Sequence, residues 1–124
     1  MTARPYRVTL AAAEDVRTIL RMTRTQFGTH QRRVYAELIE RAATLVGTVP
    51  DLVGARDRGE LGCGVRSFHL DNAAGRRGAS AHTLYFQTLA GDGGQTTIIL
   101  RVLHHRMEPA LHLGPELTQR DNAG

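Results

Sequence analysis

The sequence predicts an α+β fold in the order β-α-α-β-β-β, a helical hairpin packed on one face of a mainly antiparallel sheet. Three observations carry this. Two long segments with apolar residues at helical spacing meet at Gly28, with only a couple of residues between them. Three alternating segments rich in β-branched and aromatic residues then follow one another, joined by turn-forming loops. A short alternating segment precedes them all. Each helix has a single apolar stripe, so the pair needs a sheet to lie on.

Tyr6 to Leu10 (YRVTL) reads as the first strand. Ala11 to Gln26 reads as a helix whose stripe is Val16, Ile19, Leu20, Thr23 and Phe27. Glu14 and Asp15 fall in its first turn, where negative charge suits the helix dipole. Gly28 is placed to end this helix, and Thr29 to cap the next. The second helix runs from His30 to Thr48, with Val34, Tyr35, Leu38, Ile39, Ala42, Leu45 and Val46 as its stripe and Pro50 as its stop. Two helices joined this closely form an antiparallel hairpin.

Leu52 to Gly64 is a glycine-rich connection. Val65–Leu70, His82–Leu89 and Thr96–Leu103 are the remaining strands. Short connections pair them as an antiparallel meander. The Asp71–Ala81 loop is long for a hairpin. A single domain is expected over residues 1–113, with 114–124 as a polar, flexible tail.

A chain of 124 residues can bury roughly two thirds of its unfolded surface, enough for a core without disulfides or metal. The single cysteine, Cys63, excludes an internal disulfide framework and fits a reducing compartment. No apolar run reaches the ~18 residues of a membrane span. The start, MTARPYRVTL, lacks the long apolar core of a secretory signal, so a cytoplasmic location is expected. All sixteen basic residues are arginine, and the net charge is +4. Lysine-based catalysis is therefore excluded. Arginine stays protonated and offers a planar fork to carboxylates and phosphates.

The richest stretch is Thr96 to Leu113, TTIILRVLHHRMEPALHL. Ile98 and Leu100 fall on one strand face, Ile99 and Leu103 near the other. The strand then runs into His104, His105, Arg106, Met107 and Glu108, which delivers polar groups to the rim of a sheet. Strand, then Arg-Val-Leu-His-x-Arg-Met-acid, then His-Leu, resembles the C-terminal signature of the ParE branch of the RelE/ParE toxins. Further pieces fall in the same order. Gln26-Phe27-Gly28 followed by Tyr35 resembles the family's helical hairpin. Glu60-Leu61-Gly62-x-Gly64-Val65-Arg66-Ser67-Phe68 resembles the approach to its second strand, and His82-Thr83-Leu84-Tyr85-Phe86 its central strand. The likeness spans about Tyr6 to Leu113, and the long Asp71–Ala81 loop departs from it.

The resemblance implies the toxin of a type II toxin–antitoxin pair. Such a toxin would inhibit DNA gyrase and be neutralised by a ParD-like antitoxin whose C-terminal segment folds on binding. It implies no cofactor, no membrane partner and no sequence-specific DNA binding by the toxin alone. Arg66, Arg101, His104, Arg106 and Met107 are the candidate contacts. An exposed apolar sheet face opposite the helices is the expected partner site. A second class is a RelE-like ribosome-dependent messenger-RNA endonuclease, for which Glu60 would be the base, Arg66 or Arg101 the phosphate cation, and His104 or His105 the acid. A third is a scaffold that only binds its antitoxin.

Each residue also has a plainer reading: Arg66 as a rim arginine, Arg101 as a semi-buried structural arginine on a face shared with Ile99 and Leu103. His104 and His105 are expected to point to opposite faces, so only one could serve a given site. His82, His104 and His105 lack compact ligand spacing, so no metal site is expected.

Overall fold

The computed structural model describes residues 5–49, 51–91 and 93–117. The chain runs β1 (Arg7–Val8), α1 (Leu10–Phe27), α2 (Thr29–Thr48), β2 (Arg56–Asp57), β3 (Val65–His69), α3 (Asp71–Ala74), β4 (His82–Gly91) and β5 (Gly94–His104). Single 3₁₀ turns lie at Gly59–Leu61, Pro109–Leu111 and Gly114–Glu116. The α+β prediction is therefore the architecture found, with two additions. The two-residue strand β2 and the one-turn helix α3 are too short for a periodic signal.

The first strand is shorter than the alternation of Tyr6–Leu10 predicts, because Thr9 does other work. Its Oγ1 accepts from the Ala12 N–H at 3.0 Å and so caps α1. Glu14 and Asp15 consequently sit beyond the first turn. Gly28 closes α1 with φ +93, a backbone conformation that favours glycine, and its N–H donates to the Arg24 carbonyl. Thr29 is already helical and makes no cap. Pro50 lies outside the described residues.

The sheet order is β1-β5-β4-β3-β2. β1 joins β5 in parallel (Arg7↔Ile98), and the other pairs are antiparallel. The N-terminal strand thus pairs with the last one, and the helical hairpin spans the crossover. One irregularity matters. Tyr85 pairs with Arg101 but Phe86 pairs with Ile99, so Leu100 is an extra residue in β5. The bulge breaks the alternation. Ile99 and Val102 face the helices, while Ile98, Leu100 and Leu103 face the other way. Arg101, opposite Tyr85, therefore does not share a face with Ile99.

Two cores result. Under the helices lie Ala12, Leu20, Leu38, Ile39, Phe68, Leu84, Phe86 and their neighbours. On the opposite face lie Val65, Tyr85, Leu100, Leu103 and Leu113, with Leu61, Ile98, Met107 and Leu117 packed against them. The second sheet face is therefore covered, not exposed as the alternation suggested. The chain after β5 folds back across it, and Leu113 is only 1 % exposed. Burying each large side chain there contributes about 1.5–3 kcal/mol. Residues 114–117, within the segment read as a tail, belong to this cover; 118–124 lie outside the described residues.

The stripe residues at the hairpin tip do not reach either core. Phe27 is 67 % exposed and Val34 is also exposed.

Candidate functional site

β4 begins and β5 ends side by side, with His82 paired to His104. This corner of the sheet collects three of the chain's six imidazoles. The His82 and His104 rings meet edge to face with centroids 5.3 Å apart, and His104 and His105 lie at 4.3 Å. The two adjacent histidines were expected on opposite faces. They come together because β5 stops at His104 and His105 belongs to the following turn.

From α2, Tyr35 reaches this corner. Its Oη lies 2.7 Å from His82 Nδ1 and also bonds Ser80 Oγ. Ser80 Oγ in turn accepts from the His82 N–H at 2.9 Å. Asp71 fixes the loop: its carboxylate accepts from the Gly78 and Ser80 N–H groups at 2.9 and 2.8 Å. Burial pulls the Asp71 carboxyl upward, but these N–H bonds and nearby His69 outweigh it and hold it below its ordinary value. The Asp71 N–H donates to His69 Nδ1 at 3.0 Å. The Asp71–Ala81 segment, long for a hairpin loop, is thus what seats Tyr35 and His82.

The electrostatics keep this corner neutral. Burial, followed by the neighbouring His104 and His105, pushes His82 down to about 4. His104 is lowered by burial and by His105, and its Nδ1 accepts from the Arg106 N–H at 3.1 Å. Burial raises the Tyr35 phenol. At neutral pH His82, His104 and Tyr35 are thus uncharged hydrogen-bonding rings, beside the exposed Arg106.

The other sequence candidates lie elsewhere. Arg66 pairs with Phe86 across β3 and β4 and its guanidinium sits 5.5 Å over the Phe86 ring, on the helix side. Glu60 is exposed and bonded at 2.7 Å to Arg58, whose guanidinium lies over Tyr85 on the opposite side. Arg58 holds the Glu60 carboxyl below its ordinary value. Val65, next to this turn, pairs with Gln87, five residues along β4 from His82. That is roughly 16 Å at ~3.3 Å per residue. Glu60, Arg66 and His104 are therefore not brought together.

Met107 packs against the second core. Arg101 is committed inside the molecule. Its Nε and Nη2 donate to Asp15 Oδ2 and Oδ1 at 2.7 and 2.8 Å. Asp15 Oδ2 also accepts from the Val102 N–H at 3.0 Å. β1 pairs with only two residues of β5, leaving the next part of that edge open. Thr9, whose N–H donates to the Ile99 carbonyl and whose hydroxyl donates to the Leu100 carbonyl, and then Asp15, fill it. Nothing in the sequence links positions 15 and 101, so this contact was not legible there.

A second feature escaped the sequence. A groove of about 350 Å³ opens between the helices and β5, lined by Tyr6, Val8, Val16, Leu20, Ile39 and Val102. It exists because Ala12, Ala13, Ala36 and Ala43 occupy positions along it where larger side chains would fill the space. The small residues inside the helical stripes were the available signal. Among the described residues no group of histidine, cysteine or carboxylate side chains could hold a metal ion. Nor is any described helix long and apolar enough to cross a membrane.

A helical hairpin on a five-stranded mixed sheet, closed by an N-terminal strand parallel to the last, is the RelE/ParE-like fold. The family described as ParE toxin of type II toxin-antitoxin system, parDE, matches residues 6–109. The chain belongs to this family, and an antitoxin is its implied partner. No curated protein matches it.

Proposed function

We propose that this toxin inhibits DNA gyrase in the cytoplasm by binding it, and that a ParD-like antitoxin neutralises it. The observation that carries this reading is the family match over residues 6–109. The geometry supports a binding protein in two ways. Glu60, Arg66 and His104, which an endonuclease would need, sit at different ends and faces of the sheet. The apolar groove beside β5 is open and has the size and lining to take the apolar face of an amphipathic segment. Of the contacts read from sequence, His104 and Arg106 lie at the corner where β4 begins and β5 ends, and Arg66 stacks on Phe86 farther along the sheet. Arg101 and Met107 support the fold.

The test is a supercoiling and cleavage assay with purified gyrase, run beside a ribosome-bound messenger-RNA cleavage assay. Gyrase inhibition with intact messenger, reversed by the antitoxin, is the expected result. Messenger cleavage with unaffected gyrase overturns the proposal.

A further inference from the structure

The segment between Asp15 and Glu37 carries the whole positive excess of the chain, and its middle part, Arg24 to Val34, lies outside both cores. Between Asp15 and Glu37 there are five arginines, Arg17, Arg21, Arg24, Arg32 and Arg33, and no carboxylate. The other eleven of the sixteen arginines face twelve carboxylates. The structure places this segment as a projection. The last buried residue of α1 is Leu20, and α2 regains the core at Tyr35. Every residue from Arg24 to Val34 is exposed. Among the described residues no carboxylate lies within ion-pair distance of Arg21, Arg24, Arg32 or Arg33.

We propose that this projecting tip binds the phosphate backbone of duplex DNA without regard to sequence, an activity separate from the apolar groove beside β5 and from the histidine corner. Three features favour duplex DNA. Arg21 and Arg24 lie three residues apart on one side of α1, and Arg17, paired with Glu14 at 2.6 Å, continues that side, for about 10 Å in all. Duplex DNA presents about one charge per 1.7 Å of its axis, so about six phosphates, shared between the two strands, lie along that length. Arg32 and Arg33, in the first turns of α2, add two further exposed cations to the tip. Single strands are held by successive stacking on aromatic rings, and the exposed tip offers only Phe27 and the imidazole of His30. Protein interfaces bury a core depleted of charge. Here Phe27 and Val34 are the only large apolar side chains among the residues from Arg24 to Val34. The proposal does not depend on gyrase being the target.

The experiment measures fluorescence anisotropy of two unrelated labelled 30-base-pair duplexes with the purified full chain, across ~50–200 mM salt. The expected result is equal binding to both, weakening with salt by about 0.9 logarithmic units per neutralised phosphate. The double variant Arg24→Gln/Arg32→Gln is compared with Arg76→Gln/Arg77→Gln, which removes the same charge from the exposed tip of a different loop. The first should weaken binding roughly tenfold or more and lower the salt slope by about 2. The second should do neither. All four arginines are exposed, and unchanged thermal unfolding of both variants confirms that the fold is retained. Equal losses in the two variants would reduce the effect to diffuse net charge and overturn the proposal. So would the absence of binding at the lowest salt, or tighter binding to duplex RNA or to polyglutamate of matched charge.

Discussion

Removing Asp15 should unfasten the edge of β5. The carboxylate makes a bidentate pair with Arg101 and accepts from the Val102 N–H. The two side chains are 14 % and 17 % exposed. Asp15 holds the Arg101 guanidinium above its already high ordinary value. In Asp15→Ala a largely buried cation loses its counter-charge and a strand N–H loses its acceptor. Breaking a buried pair from one side costs about 3–5 kcal/mol. Some exposure remains, so about 3 kcal/mol is expected, out of the 5–15 kcal/mol typical of a domain. That corresponds to a fall in Tm of about 8–15 °C. Urea unfolding of Asp15→Ala, Arg101→Met and the double variant would complete a cycle. The double should be less damaged than the sum of the singles, by about 1–2 kcal/mol, and should still bind antitoxin. Additive losses, or a cost below about 0.5 kcal/mol for Asp15→Ala, would refute the structural role. Lost antitoxin binding in a stable double variant would return Arg101 to the interface.

Three further outcomes are expected. His82 is held near 4 in the folded protein, against about 6.5 unfolded. The unfolded chain therefore binds the extra proton first, and stability falls as pH drops from 6.5 toward 4. After solvent screening of the half-buried ring, urea midpoints should register a loss of about 1–2 kcal/mol by pH 4.5, mostly absent in His82→Gln; a pH-independent midpoint in the native sequence would contradict the burial argument. Leu113→Ala should cost about 2–4 kcal/mol, because Leu113 is fully enclosed with Leu100, Leu103 and Tyr85; a near-neutral effect in chemical unfolding would mean that the segment after β5 does not hold the second face. Glu60→Ala should leave growth arrest on expression intact, since Glu60 is exposed and bonded only to Arg58 among the described residues; abolished toxicity in a folded variant would revive the endonuclease reading.

Local chemistry determined a large part of this protein by itself. The 3.6-residue spacing of Val16, Ile19 and Leu20, and of Leu38, Ile39, Ala42 and Val46, allows no element but a helix. Gly28 supplies the positive φ at which the two helices meet. The alternation in β3, β4 and β5 commits those segments to strands. The order of these pieces, with the block from Arg101 to Glu108, was enough to point to the family.

The site residues were less legible, because their roles depend on partners far along the chain. Arg101 reads as a contact until Asp15, eighty-six positions earlier, is seen to occupy it. His104 and His105 read as opposed until the strand ends between them. The bulge at Leu100 moves Arg101 away from Ile99, since one inserted residue shifts the two-residue period. The second sheet face reads as bare until Leu113 and Met107 return to cover it. Periodicity reports which side of an element is apolar. Only tertiary structure decided what lies against that side: the chain closing on itself under the sheet, the alanines leaving a groove, and the hairpin reaching past the sheet with its arginines unburied.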